Sequence, residues 1–194
     1  MQIDFHHATT YVIARYAGFD HHEAGIVAYC AQYVDDATNS GTVKFHNGAM
    51  YSRISSAHKS LDYRHFDELA SHYVWIPFHF LPGNGGKPAG ENPSGSFIEK
   101  IICSPNSHVA REMVRTCIEQ REQPYGLYRL GIAMHVYADT WAHQGFAGVI
   151  HKVNDIRTLD DKGEEDEAFF AKLRSFFGDL FDRGASKFVG DTLP

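Results

Sequence analysis

Apolar residues recur at helical spacing over most of the chain. After Asp20 they return every three or four residues up to residue 36, on one face of an amphipathic helix: Ile26, Val27, Cys30, Tyr33 and Val34. Asp20 followed by Glu23 matches a capping box and marks the start of this helix. The same reasoning predicts helices over residues 7–16, 61–72, 107–121, 125–146 and 167–182. We therefore expect an all-α, mostly helical fold class.

Three segments depart from this pattern. Between Thr42 and Ile54, β-branched and aromatic residues flank Asn47-Gly48, which predicts one short hairpin. Residues 73–81 are rich in aromatic and β-branched side chains, and we predict an extended conformation for them. Residues 82–96 are rich in proline and glycine, and they are predicted to form a long loop that is either a lid over a site or a mobile segment.

Length and composition bound the domain organisation and the class of partner. With 194 residues and 43% hydrophobic content, the chain can bury a core as one domain over residues 1–194. Because it stops at "GDTLP" without a helix cap, we expect longer relatives to continue beyond it. The formal charge of −6 and the lack of a basic stripe argue against a general nucleic-acid or anionic-membrane binding surface.

The N-terminal residues and the cysteines bear on the compartment. The start of the chain lacks the basic and apolar regions of a secretory signal peptide. Its three cysteines show no C-x-x-C spacing, and no apolar run approaches the roughly 20 residues of a membrane span. These features predict a cytoplasmic protein without a transmembrane segment; its oligomeric state is left open.

Candidate chemistry concentrates in the segment "GIAMHVYADTWAHQGF". There His135, Asp139 and His143 are spaced four residues apart, so one side of a helix presents all three among apolar neighbours. His151 and Asp155 repeat the H-x-x-x-D spacing. Imidazole together with carboxylate suits zinc, manganese or iron, and a carboxylate can bridge two ions. The spacing therefore indicates a metal site, although each of the thirteen histidines taken singly fits an ordinary structural role.

The motif "HVYADTWAH" resembles that of the zinc-dependent phospholipase C and single-strand nuclease superfamily, in the H-x-x-x-D-x-x-x-H variant found in glycosylphosphatidylinositol-specific phospholipase D. The segments "QIDFHHA", "QYVDDA", "AHKSLDYRHFDELASH" and "VWIPFHFLPGN" also resemble an uncharacterised bacterial family. The superfamily likeness implies a helical domain whose metal ligands would be His7, Asp35 or Asp36, His58, His135, Asp139, His143, His151 and Asp155.

The resemblance also has departures. Secreted members of the superfamily use an N-terminal tryptophan as a ligand, whereas this chain begins with Met1, and Asp4 is the carboxylate that would replace it. The resemblance thus implies two zinc ions, or three if Asp4 contributes. Manganese or iron is the alternative metal, and the roles of His6 and His79 are left open.

The activity implied by the resemblance is hydrolysis of a phosphodiester, in a lipid or small-molecule substrate, by a metal-activated water that Asp35 or Asp36 orients. The alternative is a non-catalytic, metal-binding or structural helical domain. An oxidative di-iron protein is disfavoured, since its Glu-x-x-His motifs do not occur in the sequence.

Overall fold

The computed structural model of the chain describes residues 3–58 and 68–155. The chain divides into two compact units, residues 1–154 and 155–194. The first unit contains every element described below. The predicted helix over 167–182 and the first part of the one predicted over 61–72 lie outside the described residues, and the single domain over 1–194 stays a prediction.

The described part of the chain is mostly helical, which confirms the predicted fold class. No helix within it is long and apolar enough to cross a membrane. A π-helical turn at Asp4–Thr9 leads into the elements α1 (Thr10–Tyr16), α2 (His21–Asp36), β1 (Gly41–Lys44), β2 (Met50–Arg53), α3 (Glu68–Phe78), α4 (Phe97–Ile101), α5 (His108–Glu119) and α6 (Gly126–Ala142), with short 3-10 turns at Asn84–Gly86 and Lys152–Asn154.

Two local predictions are confirmed by their hydrogen bonds. At the start of α2, the Asp20 carboxylate accepts from the Glu23 amide at 2.8 Å, and the Glu23 carboxylate accepts from the Asp20 amide at 3.0 Å. β1 and β2 pair antiparallel, with Val43 opposite Tyr51. Gly48 closes their turn at a φ of 85°, a conformation that costs glycine little.

The extended conformation predicted for residues 73–81 is wrong, because α3 continues through Phe78. Burial of Val74 against the core outweighs the β-propensity of this aromatic segment. Pro77 lies in the last turn of α3. The amides of His79 and Phe80 both donate to the Trp75 carbonyl, and these bonds close the end of α3. His79 therefore follows a helix and does not lie in a strand.

Residues 82–96 form the predicted loop, and the side chain of Asn84 organises its first half. The amide nitrogen of Asn84 donates to the carbonyls of Pro88 and Glu91 at 2.8 and 3.0 Å. Pro82 also forms an isolated antiparallel bridge with Cys103. The loop is thus tied to its own backbone and to the segment that follows α4.

Close packing of α2 against α6 sets the position of the core. A Cβ atom on Gly131 would lie 2.4 Å from the Val27 carbonyl oxygen, so only glycine allows this approach. One turn later in both helices, the His135 Nδ1 atom lies 2.8 Å from the Ala31 carbonyl oxygen. The two helices therefore run in the same direction here, and their next turns carry Asp35 and Asp139.

Candidate metal centre

The centre of the site is the α6 pair His135 and Asp139, one helical turn apart and both fully buried. The His135 Nε2 atom lies 3.4 Å from Asp139 Oδ2. Burying two such groups is costly unless they bind a partner. The structure therefore places two of the predicted ligands where a further polar group or an ion is required.

The N-terminal π-helical turn brings His6 into this cluster. Ala14 marks the buried face of α1, and at α-helical spacing His7 would share that face. A π-helical turn holds one extra residue, so His6 takes the inward position and His7 is exposed. His6 Nε2 lies 3.3 Å from Asp139 Oδ1, and the His6 ring stacks on that of His135 at 3.8 Å. The structure thus places His6, and not the predicted His7, at the cluster.

Asp35 and His79 approach from the ends of α2 and α3. The Asp35 Oδ1 atom lies 3.8 Å from His135 Nε2 and 3.9 Å from His79 Nδ1. His79 Nδ1 also lies 3.1 Å from Asp139 Oδ2. Asp36 points outward and is exposed, within 3.4 Å of the Gln32 amide nitrogen. Of the two adjacent aspartates, Asp35 is therefore the one at the cluster.

Backbone carbonyls fix which ring nitrogen of each histidine faces the cluster. A carbonyl only accepts, so His135 donates from Nδ1 to Ala31 O, and His79 donates from Nε2 to Ser56 O at 2.8 Å. In the neutral rings, the lone pairs of His135 Nε2 and His79 Nδ1 then face each other across 3.3 Å. A metal-binding histidine is commonly oriented in this way, by a hydrogen bond from its other ring nitrogen to a carbonyl.

Electrostatics favour the protonation states that metal ligands require. Burial lowers the pKa of the His135 imidazole, although the Asp139 carboxylate opposes this effect. Burial would raise the pKa of Asp139, but its contacts with His135, His6 and His79 outweigh burial and lower that pKa. A neutral imidazole and an ionised carboxylate result, as metal binding demands.

A single shared proton does not satisfy the cluster. A proton on His79 Nδ1 would bond to Asp139 Oδ2, but both ring nitrogens of His6 and Asp139 Oδ1 would still lack a hydrogen bond to any described residue. The 3.3 Å contact between His6 Nε2 and Asp139 Oδ1 lacks the angles of a hydrogen bond. A cation accepts lone pairs from several directions at once, whereas one proton joins only two atoms.

The distances match those between ligands of one ion. Two ligands on a tetrahedral zinc ion, each about 2.0–2.1 Å from it, are about 3.3–3.4 Å apart. The contacts among His6, His79, His135 and Asp139 span 3.1 to 3.4 Å. Two groups of three residues could each hold a metal ion, because the donor atoms within each group all lie within 4.8 Å of one another: His6, His135 and Asp139, and Asp35, His79 and His135.

The other predicted ligands lie around or away from this cluster. His143 caps the end of α6, where its Nδ1 donates to the His79 carbonyl at 2.6 Å and lies 3.6 Å from Asp139 Oδ2. The His58 ring packs edge-on against Trp75, which contacts His79. The groups that could share an ion, searched over residues 3–58 and 68–155, do not include Asp4, His7, Asp36, His58, His143, His151 or Asp155.

Sequence reasoning left two cluster residues unassigned, His6 and His79. His6 is next to the predicted ligand His7. The sequence contains no signal for the π-helical turn that places His6 in the inward position instead of His7. His79 follows Pro77 at the end of α3. An extended conformation over residues 73–81 does not predict that His79 lies at the end of a helix. A helical assignment through Phe78 would have placed His79 one turn after Trp75, on a buried face.

Comparison with known proteins identifies a family and no activity. A model described as "Family of unknown function (DUF6765)" matches residues 1–189, and the chain therefore belongs to that family. No curated protein and no solved structure matches the chain. The chemistry of the cluster is thus the basis for assigning a function.

Proposed function

We propose that this member of the family is a metal-dependent phosphoesterase whose ion is bound by His6, Asp35, His79, His135 and Asp139. The observation that supports it most is the convergence of three imidazoles and two carboxylates, whose donor atoms lie 3.1 to 3.9 Å from one another in the closest pairs, with His6, His135 and Asp139 fully buried. Mixed nitrogen and oxygen donors suit zinc, which we propose as the native metal, with manganese or iron as alternatives.

A bound divalent ion would lower the pKa of water from about 16 towards 7 and polarise a phosphoryl oxygen. The residues of the chain supply orientation and solvent exclusion. Asp35 and His143 are the partly exposed groups at the edge of the buried cluster, with side chains 21% and 27% exposed. We therefore place the substrate on their side. There the Asp35 oxygen that does not bind the ion would orient the attacking water and accept its proton, and this proton would then pass to the alkoxide that leaves as the ester P–O bond breaks, so that an alcohol is released.

The described donors account for one ion. His135 belongs to both candidate groups, and its Nδ1 is engaged by the Ala31 carbonyl, so only Nε2 is left to bind metal. One lone pair binds one ion, so the two groups cannot each hold an ion through His135 at the same time. A second ion, as the resemblance implies, would need further donors such as His58 or His143. Metal analysis distinguishes these two stoichiometries.

A non-catalytic metal site is the second candidate. Five protein donors can saturate an ion, and saturated coordination is typical of structural sites, whereas catalytic sites keep a position for water. The full burial of His6, His135 and Asp139 favours this alternative. Water exchange at the bound ion separates the two functions: a catalytic ion exchanges a coordinated water, and a structural ion holds none.

The test uses protein purified without added metal and without a histidine tag. Its zinc, manganese and iron contents are measured, and hydrolysis of bis(4-nitrophenyl) phosphate is assayed on the same sample. Asp139→Asn should lose both metal and hydrolysis, while the exposed Asp36→Asn should keep both. A metal-free wild type that does not take up zinc, or an Asp139→Asn protein with full metal and full activity, would contradict the proposal.

A further inference from the structure

The hairpin formed by β1 and β2 gains little support from its own faces. Every residue of β2 is exposed, and only Val43 of β1 is partly buried. A two-stranded hairpin of this kind is marginally stable by itself in water. Its attachment to the rest of the fold is therefore concentrated at its base, where residues 54–58 leave the second strand.

Ser56 makes three hydrogen bonds at that base. Its amide donates to the Ala37 carbonyl at 2.9 Å, and its hydroxyl donates to the Val34 carbonyl at 2.8 Å, so it is bound to the end of α2. Its own carbonyl accepts from His79 Nε2 at 2.8 Å. Ser56 is buried, at 7% exposure. One residue thus connects the hairpin, the end of α2 and a proposed ligand.

We propose that Ser56 is a positioning residue that couples metal binding to the anchoring of the hairpin. This inference rests on the proposed metal site. The Ser56 carbonyl holds the proton of His79 on Nε2, which keeps the Nδ1 lone pair directed at Asp139 and His135. Because the coupling between two sites is reciprocal, an ion that fixes His79 also holds Ser56 and the hairpin base in place.

The first test follows the hairpin while the metal is removed. Hydrogen exchange is measured in full-length wild-type protein with zinc and after chelation. The amides of Ser56 and Ala57, which both bond to the Ala37 carbonyl, should exchange at least about 10-fold faster without zinc. The amide of Gln120, bonded to Thr116 at the end of α5, is the control and should keep its rate.

The second test changes Ser56 and measures zinc affinity. Ser56→Ala removes the bond to Val34 and should weaken zinc binding about 10-fold, the lower end of the range for residues that hydrogen-bond to a metal ligand. Ser55→Ala is the matched control, since Ser55 is as buried as Ser56 and, among the described residues, no hydrogen bond joins its side chain to the cluster. Ser56→Thr keeps the hydroxyl and should restore affinity.

A spectroscopic readout separates positioning from a general loss of stability. The ring nitrogen shifts of ¹⁵N-labelled His79 should show a proton on Nε2 in metal-free wild type and a mixture of tautomers in Ser56→Ala.

Three results together would overturn the coupling: unchanged His79 tautomers, unchanged zinc affinity, and amide exchange rates that do not change on chelation. If zinc binds without affecting the hairpin, only this inference fails; if coupling is seen without phosphodiester hydrolysis, only the proposed activity fails. If the wild type binds no zinc, both fail.

Discussion

Substituting Gly131 by alanine should separate the two helices that assemble the cluster. The added Cβ would lie 2.4 Å from the Val27 carbonyl oxygen and 2.6 Å from Cys30 Cβ, which is about 1 Å inside ordinary contact. Relief requires α6 to move away from α2 by about that distance. The same movement would lengthen the 2.8 Å contact between His135 Nδ1 and Ala31 O to about 3.8 Å, beyond hydrogen-bond range.

The expected loss of stability follows from three contributions. Overpacking in a close-packed interface costs about 1–3 kcal/mol, and the lost hydrogen bond costs about 1 kcal/mol. Alanine gains about 1 kcal/mol over glycine in a helix interior. Gly131→Ala should therefore lower the free energy of unfolding by about 1–3 kcal/mol and weaken zinc binding, because His135 loses the partner that orients its ring.

Gly25→Ala is the matched control within the facing helix. A Cβ on Gly25 meets no atom within 4 Å, so the substitution should raise the free energy of unfolding by about 0.5–1 kcal/mol and leave zinc affinity unchanged. Urea denaturation of metal-free protein and zinc titration of each variant measure both effects. Gly131→Ala protein as stable as Gly25→Ala, with wild-type zinc affinity, would refute the close contact as the support of the site.

Three further predictions concern the cluster itself. His6→Ala should abolish zinc binding, while His7→Ala should keep it. Zinc titration of both variants measures this, and the opposite result would show that His7 is the ligand. The metal-free protein should lose stability as the pH falls below about 6.5, the ordinary pKa of histidine, because the pKa of His135 is lowered in the folded state and only the unfolded chain then binds the proton. A second loss should begin below about 3.8, because the pKa of Asp139 is also lowered in the folded state. Each loss should reach up to about 1.4 kcal/mol per pH unit, measured as the pH dependence of the urea midpoint. Zinc at about 100 times its dissociation constant should stabilise the fold by about 2.7 kcal/mol. Thermal melts with and without a chelator measure this, and equal melting temperatures would contradict it.

Helical periodicity and capping chemistry were sufficient to predict much of the fold. The capping box of Asp20 and Glu23 and the turn at Gly48 are local signals, and both elements form where they indicate. The part of α3 from Tyr73 to Phe78 is not predicted, because its aromatic and β-branched residues favour strands locally, while packing against the core decides the outcome. Local propensity does not contain that tertiary information.

The site shows the same division between local and long-range information. His135 and Asp139 could be predicted because four-residue spacing on a regular helix fixes a common face. The sequence motif alone does not distinguish Asp35 from Asp36, although the spacing of four residues from the buried Ala31 favours Asp35. His6 depends on a π-helical turn, and His79 depends on the end of α3 meeting α6, so neither position follows from periodicity.

Whether the cluster binds a metal ion can be decided from the metal content of untagged protein purified without added metal. Elemental analysis of the wild type and of His135→Ala should be done on the same day and from the same medium. We expect about one zinc ion per wild-type chain, because the His135 Nε2 lone pair can bind only one ion, and none in His135→Ala. A wild type that stays empty after dialysis against zinc, or a His135→Ala protein that retains the full complement, would contradict it.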